Sequence, residues 1–143
     1  MDIIELAERL SKINPERLLK RILRDSSVQA LIINLNTENQ LKELNEDSTG
    51  IKLSDIGEPY SPYTQLVKGL GKFQVNLFDT GEYYESFQVI PLANGDFEIT
   101  SNPQKEDGNL EDRYGDKIEG LNEKNKKVVN IRLEEEAIRI ILR

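Results

Sequence analysis

Three apolar stripes at helical spacing follow one another between residues 2 and 35, which commits the first third of the chain to helices. Ile3, Leu6, Ala7 and Leu10 recur in steps of three and four. That rhythm gathers them on one face of a helix over residues 2–11 and scatters them on both faces of a strand. A second helix is predicted from Asn14-Pro15-Glu16. Asn is a favoured cap, Pro presets φ at the first helical position, and Glu complements the positive end of the helix dipole. Its stripe is Leu18, Leu19, Ile22 and Leu23, and a third helix restarting at Ser26 or Ser27 carries Val28, Leu31, Ile32 and Leu35. At 100° per residue Leu41 and Leu44 fall on the far side of that helix. The sequence therefore predicts a break or bend near Asn34, Asn36 and Asn39.

Beyond residue 44 the pattern changes. Residues 45–71 are rich in Gly, Pro, Ser and Asp and are expected to form a long irregular connection, helical only over 64–70. With few apolar side chains, this segment is expected to exchange its amides quickly in the free protein and to order on assembly. Phe73, Val75 and Leu77 alternate with polar residues, the rhythm of a half-buried strand. Asp79 with Glu82 has capping-box spacing, predicting a short helix over 80–86. Asn94-Gly95 predicts a hairpin with a type I′ turn, and a two-residue loop there sets Leu92 opposite Phe97 and Ile90 opposite Ile99. Residues 103–119 carry six acidic and three basic side chains and read as a polar loop. Val129, Leu133, Ala137 and Ile140 or Ile141 then mark a closing helix over 122–143, packed on the hairpin.

A chain of 143 residues fits one domain. Its expected parts are a helical region (2–44), the long loop (45–71), a short helix and β-hairpin (72–102), an acidic loop (103–121) and the last helix (122–143). The fold class is α+β, with N-terminal helices, a central antiparallel hairpin or small sheet, and a C-terminal helix on the sheet. The absence of Cys, His and Trp removes the thiolate nucleophile, the imidazole base and the commonest zinc ligands. It also leaves the redox compartment open. A mean hydropathy of −0.56, no basic leader with an apolar run, and no long apolar stretch predict a soluble chain with no membrane partner and no classical export signal. A net charge of −7 repels nucleic acid over the surface as a whole.

Candidate chemistry is sparse. Gly69-Leu70-Gly71-Lys72 lacks the glycine five positions before Gly71, where Leu66 stands, and the Ser or Thr after the lysine, where Phe73 stands. It is therefore not a phosphate loop. The acidic residues from Glu106 to Asp116 miss the alternating spacing of a calcium loop, and Glu134, Glu135 and Glu136 fan around a helix without converging. Among 26 acidic side chains no spacing selects a catalytic pair. The chain is read as a protein without a cofactor and not as an enzyme. Arg17, Lys20, Arg21 and Arg24 give the second helix a basic face. It reads first as a solvated face balanced by Glu16 and Asp25, and second as a site for an acidic partner.

Eight of the nine aromatic residues lie between Tyr60 and Phe97. Tyrosine is favoured where one side is buried and the other wet, so Tyr60, Tyr63, Tyr83 and Tyr84, with Thr64 and Lys68, are the candidate subunit interface. Three elements follow in order: Gly50 to Leu53; Tyr60-Ser61-Pro62-Tyr63-Thr64 with Lys68; and Leu77-Phe78-Asp79-Thr80-Gly81 with Ser86-Phe87. Together with Ile118-Glu119-Gly120-Leu121-Asn122 before the last helix, they resemble the central pattern of the tail-completion or virion-morphogenesis proteins of tailed bacteriophages. The likeness covers about residues 45 to 143, and Arg113-Tyr114-Gly115 stands where that family commonly carries a His-containing segment. The resemblance implies a structural virion protein, a ring-forming subunit at the head-tail junction that is assembled in the host bacterial cytoplasm. Its implied partners are other copies of itself and neighbouring neck, portal or tail proteins, with packaged DNA passing nearby. The alternative is a small intracellular adaptor or regulatory domain that binds an acidic partner through the basic face.

Overall fold

The computed structural model describes residues 1–143 and gives an α+β architecture of eight α-helices and two two-stranded antiparallel sheets. The first helices lie where the stripes place them: α1 (Ile3–Ser11), α2 (Pro15–Leu23) and α3 (Ser26–Asn34). Asn14 caps α2 by accepting from the Arg17 N–H at 3.1 Å. Asp25, ahead of the predicted Ser26 or Ser27, caps α3 by accepting from the N–H groups of Ser27 and Val28. The hydroxyl of Ser27 also donates to Asp25, and these bonds hold its carboxyl below the usual carboxylate range. Ile22, Leu23, Val28 and Ile32 are buried as the stripes require. In α1 the expected burial fails, because Ile3, Ile4 and Leu10 stay exposed and only Leu6 is half-covered.

At the predicted break the helix does not end. Residues Leu35–Glu43 continue as a π-helix, closed by the Leu44 N–H donating to the Asn39 carbonyl at 3.0 Å. An i→i+5 ladder widens the turn. Asn36, Thr37, Gln40 and Leu41 form its buried face.

The segment 45–71 corrects the expectation of an irregular connection. It begins with an isolated bridge between Glu46 and Lys52 around a turn in which Asp47 accepts from the Thr49 N–H at 2.8 Å and the Ile51 N–H at 3.1 Å. It then forms α4 (Leu53–Ile56) and α5 (Pro62–Lys68). Leu53 is fully buried, and the Ser48 N–H donates to the Lys117 carbonyl at 2.8 Å, so the segment is tied down at both side chain and backbone.

Residues 73–77 are not a strand: Phe73 is exposed, Leu77 takes a positive φ of 59°, and Val75, Asn76 and Leu77 are all buried. Asp79 caps nothing. Helix α6 (Glu82–Glu85) starts at Gly81 with φ 89°, and the Glu82 N–H finds the Thr80 hydroxyl at 3.3 Å. A positive φ there turns the chain so sharply that a box closed from Asp79 cannot form.

The hairpin of β1 (Gln88–Pro91) and β2 (Phe97–Thr100) occupies its predicted place, but its register is shifted by one residue. Val89 pairs with Ile99, Ile90 with Glu98, and Pro91 with Phe97. Only Gly95 in the turn has positive φ, at 84°, and its N–H returns to the Leu92 carbonyl. The loop is therefore the three-residue kind that needs one left-handed position, not the two-residue type I′ turn that needs two. A one-residue slip exchanges the faces of a strand, which is why Val89 is buried and Ile90 exposed.

The acidic stretch is also better ordered than its composition suggests. It contains β3 (Gln104–Lys105), β4 (Gly108–Asn109), α7 (Leu110–Tyr114) and a 3₁₀ turn at Asp116–Ile118. Leu110, Tyr114 and Ile118 are buried. Asn122 then caps α8 (Glu123–Ile141) by accepting from the Asn125 N–H at 2.8 Å.

Two apolar clusters form the core. One joins α2, α3 and α8 with Val89 of the hairpin, and Phe97 and Ile99 pack against it. The other holds Leu41, Leu53, Val75, Leu77, Tyr83, Tyr84, Phe87, Leu110, Tyr114 and Ile118. Ile33 and Ile99 touch both. No helix is long and apolar enough to cross a membrane.

Candidate docking surface

Helix α5 is set by its ends. Ser61 accepts from the Thr64 N–H at 3.2 Å and its hydroxyl meets that of Thr64 at 3.0 Å, Pro62 occupies the first turn, and Gly69 closes the helix at φ 67°. This is the work of the glycine pair the sequence singled out: Gly69 supplies the left-handed residue of a helix stop, with the Leu70 N–H returning to the Gln65 carbonyl.

Its inner side is polar and anchored. Lys68 donates to the Phe78 carbonyl and lies 5.1 Å from the centre of the Tyr60 ring. Gln65 donates to the Tyr60 carbonyl at 3.0 Å. The Tyr60 hydroxyl donates to Asn76 Oδ1 and accepts from the Asn76 N–H, both at 3.2 Å. Of the predicted interface residues, Tyr60, Thr64 and Lys68 are thus half-buried and support the helix from below.

The outer side is apolar, the reverse of an ordinary surface helix. Tyr63, Leu66 and Val67 stand at i, i+3 and i+4, so they share one face, and they are 76%, 82% and 67% exposed. Phe73, just beyond the helix, is 63% exposed. Beside them runs a groove of about 1000 Å³ whose walls include Ile56, Pro59, Tyr63, Val67 and Tyr114. Its charged wall carries Arg113, paired with Asp107 at 3.3 Å. Sequence reasoning found Tyr63 here but missed Leu66, Val67 and Phe73. The available signal was the i, i+3, i+4 spacing in a helix bracketed by Pro and Gly.

Tyr83 and Tyr84 do not belong to this surface. Both are buried, and their rings pack edge-on against each other and against Phe87 and Phe78. Burial pushes both phenols far above the usual tyrosine range. The Tyr83 hydroxyl donates to Glu119 at 2.8 Å, and the Ser101 hydroxyl reaches the same carboxylate. They are core residues because α6 is short and faces inward.

The basic face of α2 divides. Arg17 and Arg21 join Arg9 and Lys12 around a recess of about 430 Å³ floored by Ile13, Leu18, Ile140 and Ile141, whereas Lys20 and Arg24 lie outside it. Arg9 donates to the carbonyls of Ile141 at 3.2 Å and Arg143 at 2.6 Å, fastening α1 to the end of α8. None of Arg17, Lys20, Arg21 and Arg24 is ion-paired.

No group of three acidic side chains is placed to hold a metal ion. Partial burial, and then the charge of Glu119 and a hydrogen bond to it, with Asp116 and Asp112 nearby, raise the Glu111 carboxyl above its ordinary value of 4.5. A raised folded-state value means that this group favours the fold while protonated. Its contribution is complete below about pH 4.5 and is lost as pH climbs through the raised value. Glu111→Gln should therefore gain stability over the wild type at pH 7 relative to pH 4, read from urea midpoints at the two values. An equal difference at both would show that Glu111 titrates normally.

Comparison with protein-family models, with curated proteins and with solved structures gives no match.

Proposed function

We propose that the chain is a structural subunit of a tailed-phage virion, a ring-forming component at the head-tail junction, in the neck or tail-completion position. The observation that carries the reading is the preformed apolar face of α5. A protein that works alone keeps such side chains inside, and three on one rigid helix mark a surface built to be covered by protein. The motif resemblance is densest around this helix, and a contact between unlike surfaces of successive copies is the kind that closes rings. The role is one of binding, without catalysis or cofactor. The expected partners are further copies of the chain and neighbouring neck, portal or tail proteins in the virion, and the net negative charge lets packaged DNA pass without adhering. Because α5 is already anchored by Lys68, Gln65 and Tyr60, the ordering cost expected of a loose loop is small.

The test compares free protein with purified particles. Mass spectrometry should find the chain in particles, and hydrogen exchange of residues 61–73 should slow on incorporation. The double variant Leu66→Asp, Val67→Asp should fold with a stability change within about 0.5 kcal/mol, as for exposed substitutions generally, yet fail to enter particles. Particles lacking the wild-type chain, or incorporation unaffected by the variant, would overturn the reading.

The recess around Arg9, Lys12, Arg17 and Arg21 favours a second reading, an adaptor that binds an acidic partner. In that case Arg17→Glu with Arg21→Glu abolishes binding of the acidic partner and the α5 variant does not.

A further inference from the structure

Helix α8 is apolar on two faces. Val129, Leu133, Ala137 and Ile140 turn toward α2 and α3. Val128, Ile131, Ile138 and Leu142 point away and are exposed. The second set falls at steps of three, seven and four, which is heptad spacing with Glu135 at the one missing seam position. Over 19 residues the helix is about 28 Å long, enough for a helix-pairing seam.

We infer that the first half of this seam, Val128 and Ile131, is covered by α8 of a second copy of the chain, running antiparallel about a two-fold axis. Charge decides the occupant and the direction. Around the seam the first half of α8 exposes Lys124 and Lys127, and the second half exposes Glu134 and Glu135. An antiparallel pair centred between Val128 and Ile131 packs Val128 against Ile131 of the second copy twice over. It sets Lys124 against Glu135 of that copy and Lys127 beside its Glu134, and the symmetry repeats each contact. A parallel pair in register would instead place Lys124 against Lys124 and Glu135 against Glu135 within the seam, where like charges repel. The surface is self-complementary in one orientation only, as a closed two-fold dimer requires. Ile138 and Leu142 run past the first turn of the opposing helix. The contact uses none of the α5 residues, so it stands or falls separately from the proposed function.

Sedimentation of the full chain over a concentration series tests the pairing. The wild type should pass from monomer to dimer. Ile131→Glu, at an exposed position, should melt like the wild type and weaken dimerisation by at least about tenfold. Lys124→Glu and Glu135→Lys should each weaken it, and the two together should restore it, because antiparallel pairing then exchanges the partners' signs. A chain that stays monomeric throughout, a dimer indifferent to Ile131→Glu, a higher oligomer with no dimer, or a dimer in which the charge swap fails to rescue would each overturn the inference.

Discussion

Gln40→Leu should remove up to about 2 to 6 kcal/mol of stability, because two partly buried backbone groups lose their partners at up to about 1 to 3 kcal/mol each. Gln40 is fully buried in the π-helix. Its amide donates to the Gly120 carbonyl at 2.8 Å, and its carbonyl oxygen accepts from the Asn122 N–H at 2.8 Å and from the Asn125 amide at 2.9 Å. Beside it Asn36 donates to the Ile118 carbonyl at 2.9 Å and accepts from the Gly120 N–H at 2.7 Å. Two side chains on successive wide turns thus hold the backbone from Ile118 to Asn122, which has no regular partner of its own. Leucine matches the volume of Gln40 and satisfies none of these groups. Thr37→Val is the control. Thr37 makes one local bond, to the Ile33 carbonyl at 2.8 Å, and its loss should cost only about 0.5 to 1.5 kcal/mol. Equal losses in urea melts of the two variants would show that the segment before α8 is held by something else.

This polar lock explains why the sequence located the change at Asn34, Asn36 and Asn39 and mistook its nature. Asn and Gln in a helical pattern signal competition with the backbone, but not that the competing backbone lies some eighty residues away. Where a helix buries its own stripe, as in α2, α3 and α8, period and caps sufficed, since both are written in neighbouring residues. The hairpin was legible in place and not in register: Val89 and Ile90 are adjacent apolar residues, so alternation cannot choose which faces inward. The choice falls to whether Asn94 or only Gly95 adopts positive φ. Leu53, Leu110, Tyr114 and Ile118 were invisible because each is a single anchor in a polar stretch, fixed by turns such as that of Asp47. Composition averaged over a window cannot register single buried residues.

The docking surface was half legible for a related reason. Tyrosine is amphipathic and suits a surface that is half wet. That holds for Tyr63 and fails for Tyr83 and Tyr84, whose hydroxyls find Glu119 and the Asn76 carbonyl inside the fold. What exposes the α5 face is the polar character of its other side. Thr64 pairs with the Ser61 hydroxyl, Gln65 and Lys68 find backbone and ring partners on Tyr60 and Phe78, and the apolar residues are left to point outward.

Leu41→Ala should cost about 2 to 5 kcal/mol, the range for removing a fully buried leucine and leaving part of the cavity open. Leu23→Ala, in the other cluster, should cost a similar amount. Leu41 sits where the widened helix turns it into the cluster with Leu53, Val75 and the α6 tyrosines, and Leu23 lies among α2, α3, α8 and Val89, both without exposed surface. Ile33 and Ile99 pack on both groups, so the two clusters are fastened through one helix and one strand and should melt together. Against a total of about 5 to 15 kcal/mol for a domain, the double variant should be close to unfolded at 25 °C, its loss near the sum of the two because the side chains sit in different clusters. Each single variant should show one cooperative urea transition, coincident in far-ultraviolet dichroism and in tyrosine fluorescence, which reports chiefly on the Leu41 cluster. If Leu41→Ala moved the fluorescence transition and left the dichroism transition in place, the clusters would be separate folding units, and the π-helix would be a hinge between them.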